Sequence, residues 1–105
     1  MPKVFVPNKG GHPFDKAERY GELVYITEGW LPDRYGVNSM WRLAQNALQD
    51  SSSEDYIILT GLTTICVVCC CMFVAMHGRL NLLLHHERDE YKERTLVFGE
   101  KDIRM

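Results

Sequence analysis

The chain lacks an excess of charge of either sign. Its 105 residues include 12 basic and 14 acidic side chains, which gives a net charge of -2, and these charges are scattered along the sequence. Proteins that hold a phosphate backbone usually carry a basic patch, so this composition argues against nucleic acid as a partner. The amino terminus also lacks the long apolar segment and the small-residue cleavage site of a secretory signal. We therefore predict a protein of the cytoplasm.

Charge is absent altogether from the stretch Tyr56–Met76. A helix of ~20 residues covers the ~30 Å hydrocarbon layer of a bilayer, so length alone allows a single span from about Ile57 to Met76. The polar cluster Ser51–Asp55, however, precedes a short β-branched run, and Thr60–Thr64 interrupts the stretch with turn and cap residues. We predict a strand, a turn and a buried helix here, and membrane contact is not expected. A single-span membrane protein remains the third hypothesis for function.

Four cysteines lie within two turns of this predicted helix: Cys66, Cys69, Cys70 and Cys71. Neighbouring residues on a helix point to different sides and cannot easily bridge each other, so we expect free thiols. Cys66 and Cys69 have the spacing of a zinc pair, but the sequence offers no second pair of cysteines or histidines at metal-ligand spacing. The sequence therefore predicts neither a metal site nor a cofactor.

The apolar patterns and turn residues predict a single α/β domain over residues 1–105, with a mixed β-sheet in two or three layers. The predicted order of strands and helices is β-β-α-β-α-β-β. The strand, helix and strand between Tyr56 and His85 should form a right-handed crossover, because left-handed crossovers are rare. Residues 8–20 are predicted to be an irregular loop with a turn or two of helix from Phe14, and residues 99–105 a frayed tail. The predicted elements are strand Lys3–Val6, strand Glu22–Thr27, a helix from Asn38 or Ser39 to Asp50, strand Tyr56–Leu59, a helix from about Thr63 to His77, strand Arg79–His85 and strand Tyr91–Phe98.

Local patterns predict further details of this fold. Pro7 should stop the first strand. The nearly continuous apolar run in Glu22–Thr27 is typical of a strand covered on both faces in the middle of a mainly parallel sheet. The helix from about Thr63 to His77 should end at Gly78. Because this helix is apolar all round, it should be central or covered by a second subunit, and we expect a homo-oligomer, most simply a homodimer.

One edge of the predicted sheet collects residues that suit an anion. In open α/β sheets, ligands bind beyond the carboxyl ends of the parallel strands, where loops meet helix amino termini. A nucleotide- or anion-binding protein is therefore the second hypothesis for function. In the alternative, Thr63 or Thr64 only caps its helix, as Asn38 or Ser39 is expected to cap the first helix. Neither GxGxxG nor GxxxxGK[ST] occurs in the sequence. The candidate ligand-binding residues are Lys9, His12, Thr60, Gly61, Thr63 and Thr64.

The histidines and acidic residues form no catalytic pattern in the sequence. A catalytic site needs a nucleophile beside a base, or paired carboxylates in a concave site. His12 lies in a glycine-rich loop, whereas His85 and His86 close a predicted strand, where a polar end needs no chemistry. We assign no catalytic residue and favour a non-enzymatic role, while enzymatic activity stays open.

Aromatic and arginine side chains cluster around the start of the first predicted helix. Trp, Tyr and Arg are the residues that most often anchor protein interfaces. In the alternative, Trp41 packs under the preceding loop and Trp30 covers the sheet edge, which requires no partner. The leading hypothesis for function is a non-enzymatic protein that binds a protein partner through Trp30, Arg34, Tyr35 and Trp41.

Three segments resemble small proteins encoded by tailed bacteriophages: KVFVPNKGGHPFDKAERYGELVYITEG at Lys3–Gly29, YIILTGLTT at Tyr56–Thr64 and HGRLNLLL at His77–Leu84. The resemblance transfers no catalytic or binding residue to this chain. What it implies is a cytoplasmic phage product in a bacterial host, such as an accessory factor or a factor directed at the host or its defences.

Overall fold

Strands and helices alternate along most of the chain, as predicted. The computed structural model describes residues 1–10, 13–28, 36–59 and 62–98. Two short 3-10 helices cover Asp15–Tyr20 and Glu87–Asp89. The order β-β-α-β-α-β-β and the α/β class are confirmed. The strands and helices are β1 (Lys3–Asn8), β2 (Glu22–Thr27), α1 (Val37–Leu48), β3 (Tyr56–Ile58), α2 (Thr63–His77), β4 (Arg79–His85) and β5 (Tyr91–Val97).

The five strands form one mixed sheet in the order β2-β1-β3-β4-β5. β1 pairs in parallel with both β2 and β3, and β3 pairs in parallel with β4. The chain therefore crosses from β3 through α2 to a parallel neighbour. β5 runs antiparallel to β4, with Arg79 opposite Val97 and His85 opposite Tyr91, which confirms the predicted hairpin.

The two faces of the sheet are covered by different layers. Side chains alternate between the faces of a strand, so Phe5 points to one side of β1 and its neighbours Val4 and Val6 to the other. Phe5 packs in a core formed with α1 and α2, which we call the helix layer. Val4 and Val6 pack in a second core that includes Phe14 and Ala17 of the segment between β1 and β2. The molecule thus has three layers, of which the third is thin.

The segment that follows the first strand differs from the prediction. β1 does not stop at Pro7 but continues to Asn8, because the pairing with β2 runs from Val6 opposite Tyr25 to Asn8 opposite Thr27 and leaves Pro7 without a paired position. Of the predicted irregular loop at residues 8–20, Asn8 belongs to the strand, and the turn or two of helix predicted from Phe14 is a 3-10 helix at Asp15–Tyr20. Buried side chains from this segment contribute to the second core.

β2 lies at an edge of the sheet, so the prediction of a central position is wrong. Its apolar run has another cause, since both faces of the strand still meet a core. Val24 and Ile26 pack against the core of the helix layer, while Leu23 and Tyr25 pack against the second core. An edge strand between two cores therefore carries the same sequence pattern as a central strand.

The helices begin without the side-chain caps that the sequence predicts. α1 starts at Val37 after Gly36, and α2 starts at Thr63 after Leu62; neither helix has a side-chain hydrogen bond at its N-cap. Asn38 and Ser39 lie inside the first turn of α1, and Thr63 and Thr64 inside the first turn of α2. The capping predictions are therefore wrong for both helices.

The ends of the elements agree with the predictions to within two residues. α1 ends at Leu48 instead of Asp50, and β3 and β5 each end one residue early, at Ile58 and Val97. α2 ends at His77, and Gly78 follows with φ 67°, where its amide donates to the carbonyl of Val74. This left-handed conformation favours glycine, so the predicted helix stop is confirmed.

α2 is apolar all round, but it is not central. One side packs on the sheet through side chains such as Ile65, Cys69 and Phe73. The opposite side carries Val67, which is 54% exposed, and the exposed Cys71. The prediction of a helix buried on all sides is wrong for the single chain, and its cover by a second subunit stays a prediction.

The uncharged stretch Tyr56–Met76 is divided between β3 and α2. Within residues 1–10, 13–28, 36–59 and 62–98, no helix has the length and hydropathy that crossing a membrane requires.

Candidate functional site

The carboxyl ends of β1 and β3 lie side by side at the point where the strand order reverses. From β1 the chain passes to β2 on one side, whereas from β3 it passes through α2 to β4 on the other. In doubly wound sheets a ligand binds in the crevice at such a switch point. The predicted anion edge therefore coincides with the topological position that α/β proteins use for binding.

Two buried polar side chains tie the ends of β1 and β2 together at this edge. Asn8 Nδ2 donates to Thr27 Oγ1 over 2.9 Å, and Thr27 Oγ1 donates to the Pro7 carbonyl over 2.5 Å. The Lys9 amide donates to the Thr27 carbonyl over 2.9 Å. Asn8 and Thr27 are 4% and 8% exposed. These contacts fix the direction in which the chain leaves β1.

Lys9 and Thr63 are the predicted ligand-binding residues that flank the switch point in the described part of the chain. Lys9 is exposed, and its Nζ lies 5.1 Å from the centroid of the Tyr25 ring. Thr63 and Thr64 are exposed in the first turn of α2, where backbone amides have no partner within the helix. The edge thus offers a cation and amide donors that suit a phosphate or carboxylate. His12, Thr60 and Gly61 lie outside the described residues.

The predicted interaction residue Trp41 lies on α1 and is 41% exposed. One helical turn earlier, Val37 is 60% exposed, and Arg42 is exposed beside Trp41. Trp41 is therefore only partly packed, and its free side is available to a partner. Trp30, Arg34 and Tyr35 lie outside the described residues, so the structure does not bring them together with Trp41.

The exposed side of α2 belongs to the helix for which the sequence predicts cover by a second subunit, but the sequence did not identify which residues form that side. Thr64, Val67, Cys71 and Ala75 are all exposed there. A helix that is apolar all round does not reveal which side faces water, because it has no amphipathic pattern. The sequence signal for this surface was the absence of charge from the helix. It points to an exposed apolar side once the helix is known to lie in an outer layer.

The four cysteines form no disulfide and lie in different environments. Cys66 and Cys69 are buried, Cys70 is half-buried and Cys71 is exposed. Burial, with a smaller contribution from neighbouring thiols, raises the pKa of Cys69 to about 12 and the pKa of Cys70 to about 11. Both groups are therefore protonated at neutral pH, which makes them poor nucleophiles. Among the described residues, no cluster of three or more His, Cys, Asp or Glu side chains could hold a metal ion.

The opposite edge of the sheet, where β1, β3 and β4 begin, holds a buried polar network. The Asp55 carboxylate accepts from the amides of Lys3 and Ser52, each over 2.8 Å. Asn81 Nδ2 donates to the carbonyls of Ser53 and Asp55 over 2.7 and 2.8 Å. Asp55 and Asn81 are each 3% exposed. In these four bonds the two side chains pair with backbone groups, so the network ties the loop before β3 to β1 and β4.

His77, which closes α2, has a structural role. Its Nε2 lies 2.8 Å from Ser51 Oγ, and its ring packs 4.6 Å from the Phe73 ring centroid. The contact joins the end of α2 to the segment that follows α1. His85 stacks edge-on against Tyr91 across the β4–β5 hairpin.

Comparison with known proteins identifies one family. The family model described as Phage Pam3 gp32-like protein matches residues 2–97 of this chain. The match confirms the predicted resemblance to small phage-encoded proteins. No curated protein and no solved structure matches the chain.

Proposed function

Because the chain belongs to the Phage Pam3 gp32-like family, we propose that it is a small non-enzymatic interaction protein that acts in the cytoplasm of the phage's bacterial host. Its contact surface is the outer side of the helix layer, which includes Trp41. The partner it binds there is another protein.

The distribution of charge carries this proposal. Among the 12 residues of α1 and the 15 residues of α2, Arg42 is the single acidic or basic side chain apart from the histidine that ends α2. The whole chain carries 12 basic and 14 acidic residues, so nearly all of its charge lies elsewhere. Interface cores are depleted in charged residues and enriched in Trp, Met and Arg. The helix layer has this composition although it is an outer layer.

Exposed apolar side chains support the same surface. Val37 and Trp41 of α1 and Val67 and Met76 of α2 are between 41% and 60% exposed. Large exposed apolar patches mark interaction sites on soluble domains. A partner that covered these side chains would remove them from water at about 25 cal/mol per Å² of apolar surface.

Site-specific photo-crosslinking in infected host cells tests the proposal. A photoreactive phenylalanine analogue replaces Trp41 in one variant and Lys16, which is exposed on the opposite side of the sheet, in the control. We expect discrete covalent adducts from position 41 and none at the same masses from position 16. Equal adduct patterns at the two positions, or no adduct at position 41, would contradict a contact surface on the helix layer.

An anion or nucleotide site at the β1/β3 switch point is a second candidate function. The strand order and the placement of Lys9 and Thr63 at that edge favour it. A ligand present at 100 times its Kd stabilises the folded state by about 2.7 kcal/mol. Thermal unfolding with millimolar phosphate and a panel of nucleotides should therefore show a rise in Tm, which Lys9→Gln should reduce and Lys16→Gln should not. No shift with any member of the panel would count against this site.

A further inference from the structure

The outward side of α2 carries no charge along the whole helix and is apolar after its first turn. Thr64, Val67, Cys71 and Ala75 recur at three- and four-residue intervals, so they lie on one side of the helix. All four are exposed, and Val67 keeps 54% of its surface in water. The side is broad, because no acidic or basic residue occurs anywhere in the helix before His77.

α1 shows what an ordinary outer helix of this protein looks like. Beyond its first turn, its exposed side carries Arg42, Gln45 and Asn46, which water solvates well. Both helices pack on the same face of the sheet, but α2 presents an outer side without charge along its whole length, whereas α1 exposes apolar side chains mainly near its start, at Val37 and Trp41. The outer side of α2 is therefore suited to an uncharged surface, and not to water.

We propose that this side of α2 packs against α2 of a second copy of the chain, antiparallel, about a twofold axis near Cys71. The inference rests on the proposed interaction role and assigns one partner to the helix layer. Twofold dimers are the commonest homo-oligomers, and they bring the same patch of both subunits together.

The spacing of large and small residues fits this register. In an antiparallel pair centred on Cys71, residues four positions before and after the centre face each other. Val67 then lies opposite Ala75 of the second copy, and Thr64 lies opposite Gly78. Each larger side chain meets a smaller one, which is the arrangement that lets two surfaces interdigitate.

Charge also favours a second copy over a different partner. A twofold axis brings a side chain near its own counterpart, so any charge close to the axis would face a like charge. α2 has no acidic or basic side chain near the proposed axis, so this repulsion does not arise. The rest of the described surface is rich in charge, for example at Lys92, Glu93 and Arg94 of β5. The same side of α2 in a second copy supplies a surface that is equally free of charge.

The area of the helix layer is of the order that a dimer needs. α2 has 15 residues, and a helix of that length is ~22 Å long and ~10 Å wide. Its flat footprint of ~220 Å² falls short of ~500 Å² per partner, which is the lower limit for a specific interface. α1 lies beside α2 and is almost as long, so the two helices together approach that area. The dimer should therefore involve both helices, with α2 at its centre.

Light scattering coupled to size exclusion measures the mass directly. The full chain has a mass of 12.2 kDa, and we expect twice this mass at high micromolar concentration. Val67→Lys places a charge beside the axis and should raise the dissociation constant at least tenfold. Val97→Lys is the matched control, because Val97 is 68% exposed and shares its side of β5 with Tyr91, which packs in the second core. This control should leave the mass unchanged.

A short bis-maleimide linker tests the register. Cys71 is the exposed cysteine and should couple the two copies, giving a band at twice the chain mass on a denaturing gel. Cys71→Ser should abolish that band. Circular dichroism of every variant checks that it is folded, and exposed positions were chosen so that folding is retained.

Each outcome decides a different point. A dimer that resists Val67→Lys, or a linker product that survives Cys71→Ser, would show that another surface joins the copies. A monomer at all concentrations, or aggregation that only detergent relieves, would overturn self-association. If the chain is monomeric but position 41 still cross-links a different protein in infected cells, the dimer is wrong and the interaction role stands. If both experiments fail, both proposals fail.

Discussion

Asp55 and Asn81 are polar side chains that the fold removes from water. Each makes at least two hydrogen bonds to groups that would otherwise lose their partners, so neither is a defect of the core. Asn81 also accepts from Arg79 Nε and Thr95 Oγ1, each over 3.2 Å. A single amide thereby connects the loop before β3 with β4 and β5.

Replacement of Asn81 tests this network. Asn81→Ala removes the donor of the buried Asp55 carbonyl and of the part-buried Ser53 carbonyl. A buried group left unsatisfied costs about 1–3 kcal/mol. We expect the free energy of unfolding, measured in urea, to fall by about 2–4 kcal/mol. Ser53→Ala is the control, because it removes an exposed hydroxyl and should change stability by less than about 0.5 kcal/mol. Equal effects of the two substitutions would show that the network contributes little.

The buried thiols make stability depend on alkaline pH. The folded pKa values of Cys69 and Cys70, about 12 and about 11, lie above the ordinary thiol value of 9.0. A group whose pKa is raised on folding stabilises the protein fully below its unfolded pKa and loses that contribution as pH rises through the folded value. Urea midpoints should therefore fall from pH 9 upward.

Substitution of Cys69 isolates this effect. Cys69→Ala should lower stability at pH 7, because it leaves a cavity, but its urea midpoint should decline less steeply than that of the wild type from pH 9 upward. Val68→Ala, on the same buried side of α2, removes volume without removing a proton, so its midpoint should follow the slope of the wild type. Parallel slopes for all three proteins would mean that Cys69 does not titrate with unfolding.

At the scale of the elements, Gly21 shows how closely the chain segments approach just before β1 and β2 begin. A Cβ built at Gly21 would lie 2.1 Å from the Pro2 carbonyl oxygen, closer than any real contact. The amide of Glu22 donates to the same oxygen over 3.1 Å. Only a glycine at this position lets β2 begin beside β1.

A pair of serine substitutions tests whether β1 and β2 must lie this close together. Gly21→Ser must push the two strands apart, and we expect a loss of about 2–4 kcal/mol, in the range of severe packing defects. Gly36→Ser is the control, since a Cβ there meets nothing within 4 Å and the residue is the N-cap of α1. Serine is a preferred N-cap, so this variant should be neutral or slightly more stable in thermal unfolding. A tolerated Gly21→Ser would show that the strands can separate at little cost.

The sequence predicted these elements well where a single local pattern determines them. α2, β4 and the hairpin with β5 follow from apolar runs, Gly78 and the turn residues, so their bounds were predicted almost to the residue. The position of β2 in the strand order could not be predicted. Its two faces are each half-buried by a core, which gives this edge strand the apolar run that is typical of a central strand. The prediction of the helix caps was wrong because threonine and asparagine near the start of a helix are as compatible with its first turn as with the N-cap position.

The candidate sites were predictable to different degrees for a related reason. Lys9 directly follows β1 and Thr63 is the first residue of α2, which follows β3, so the parallel pairing of β1 with β3 places both at one edge. The tie between Asn8 and Thr27 depends on the register of β1 against β2, and the network of Asp55 and Asn81 depends on three strands at once. No local pattern contains that information.

The whole molecule is organised around β1 and β3, which have strands on both sides and layers on both faces. Phe5 and Ile57 are buried to within 1% of their surface, whereas Leu96 of the edge strand β5 is 49% exposed. Amides in such a centre open only when the molecule unfolds globally, while edges open locally. The sheet should therefore be least stable at its margins.

Hydrogen exchange measured residue by residue tests this gradient. We expect the amides of β1 and β3 to exchange at least about ten times more slowly than those of β5, which corresponds to about 1.4 kcal/mol in opening free energy. Uniform protection across all five strands would show that the sheet opens as one unit.

The position of β1 also sets an order of events during synthesis. Val4 lies opposite Leu23 in β2 and opposite Tyr56 in β3, so the first strand waits for more than half of the chain to leave the ribosome before its second partner exists. The hairpin instead joins β4 and β5, which are adjacent in the sequence. It forms in ~1–10 μs once both strands have been synthesised. Bringing distant parallel strands together carries the larger entropic cost and is slow. The nascent chain therefore exposes its apolar first strand longest, at the stage when a chaperone of the host would meet it.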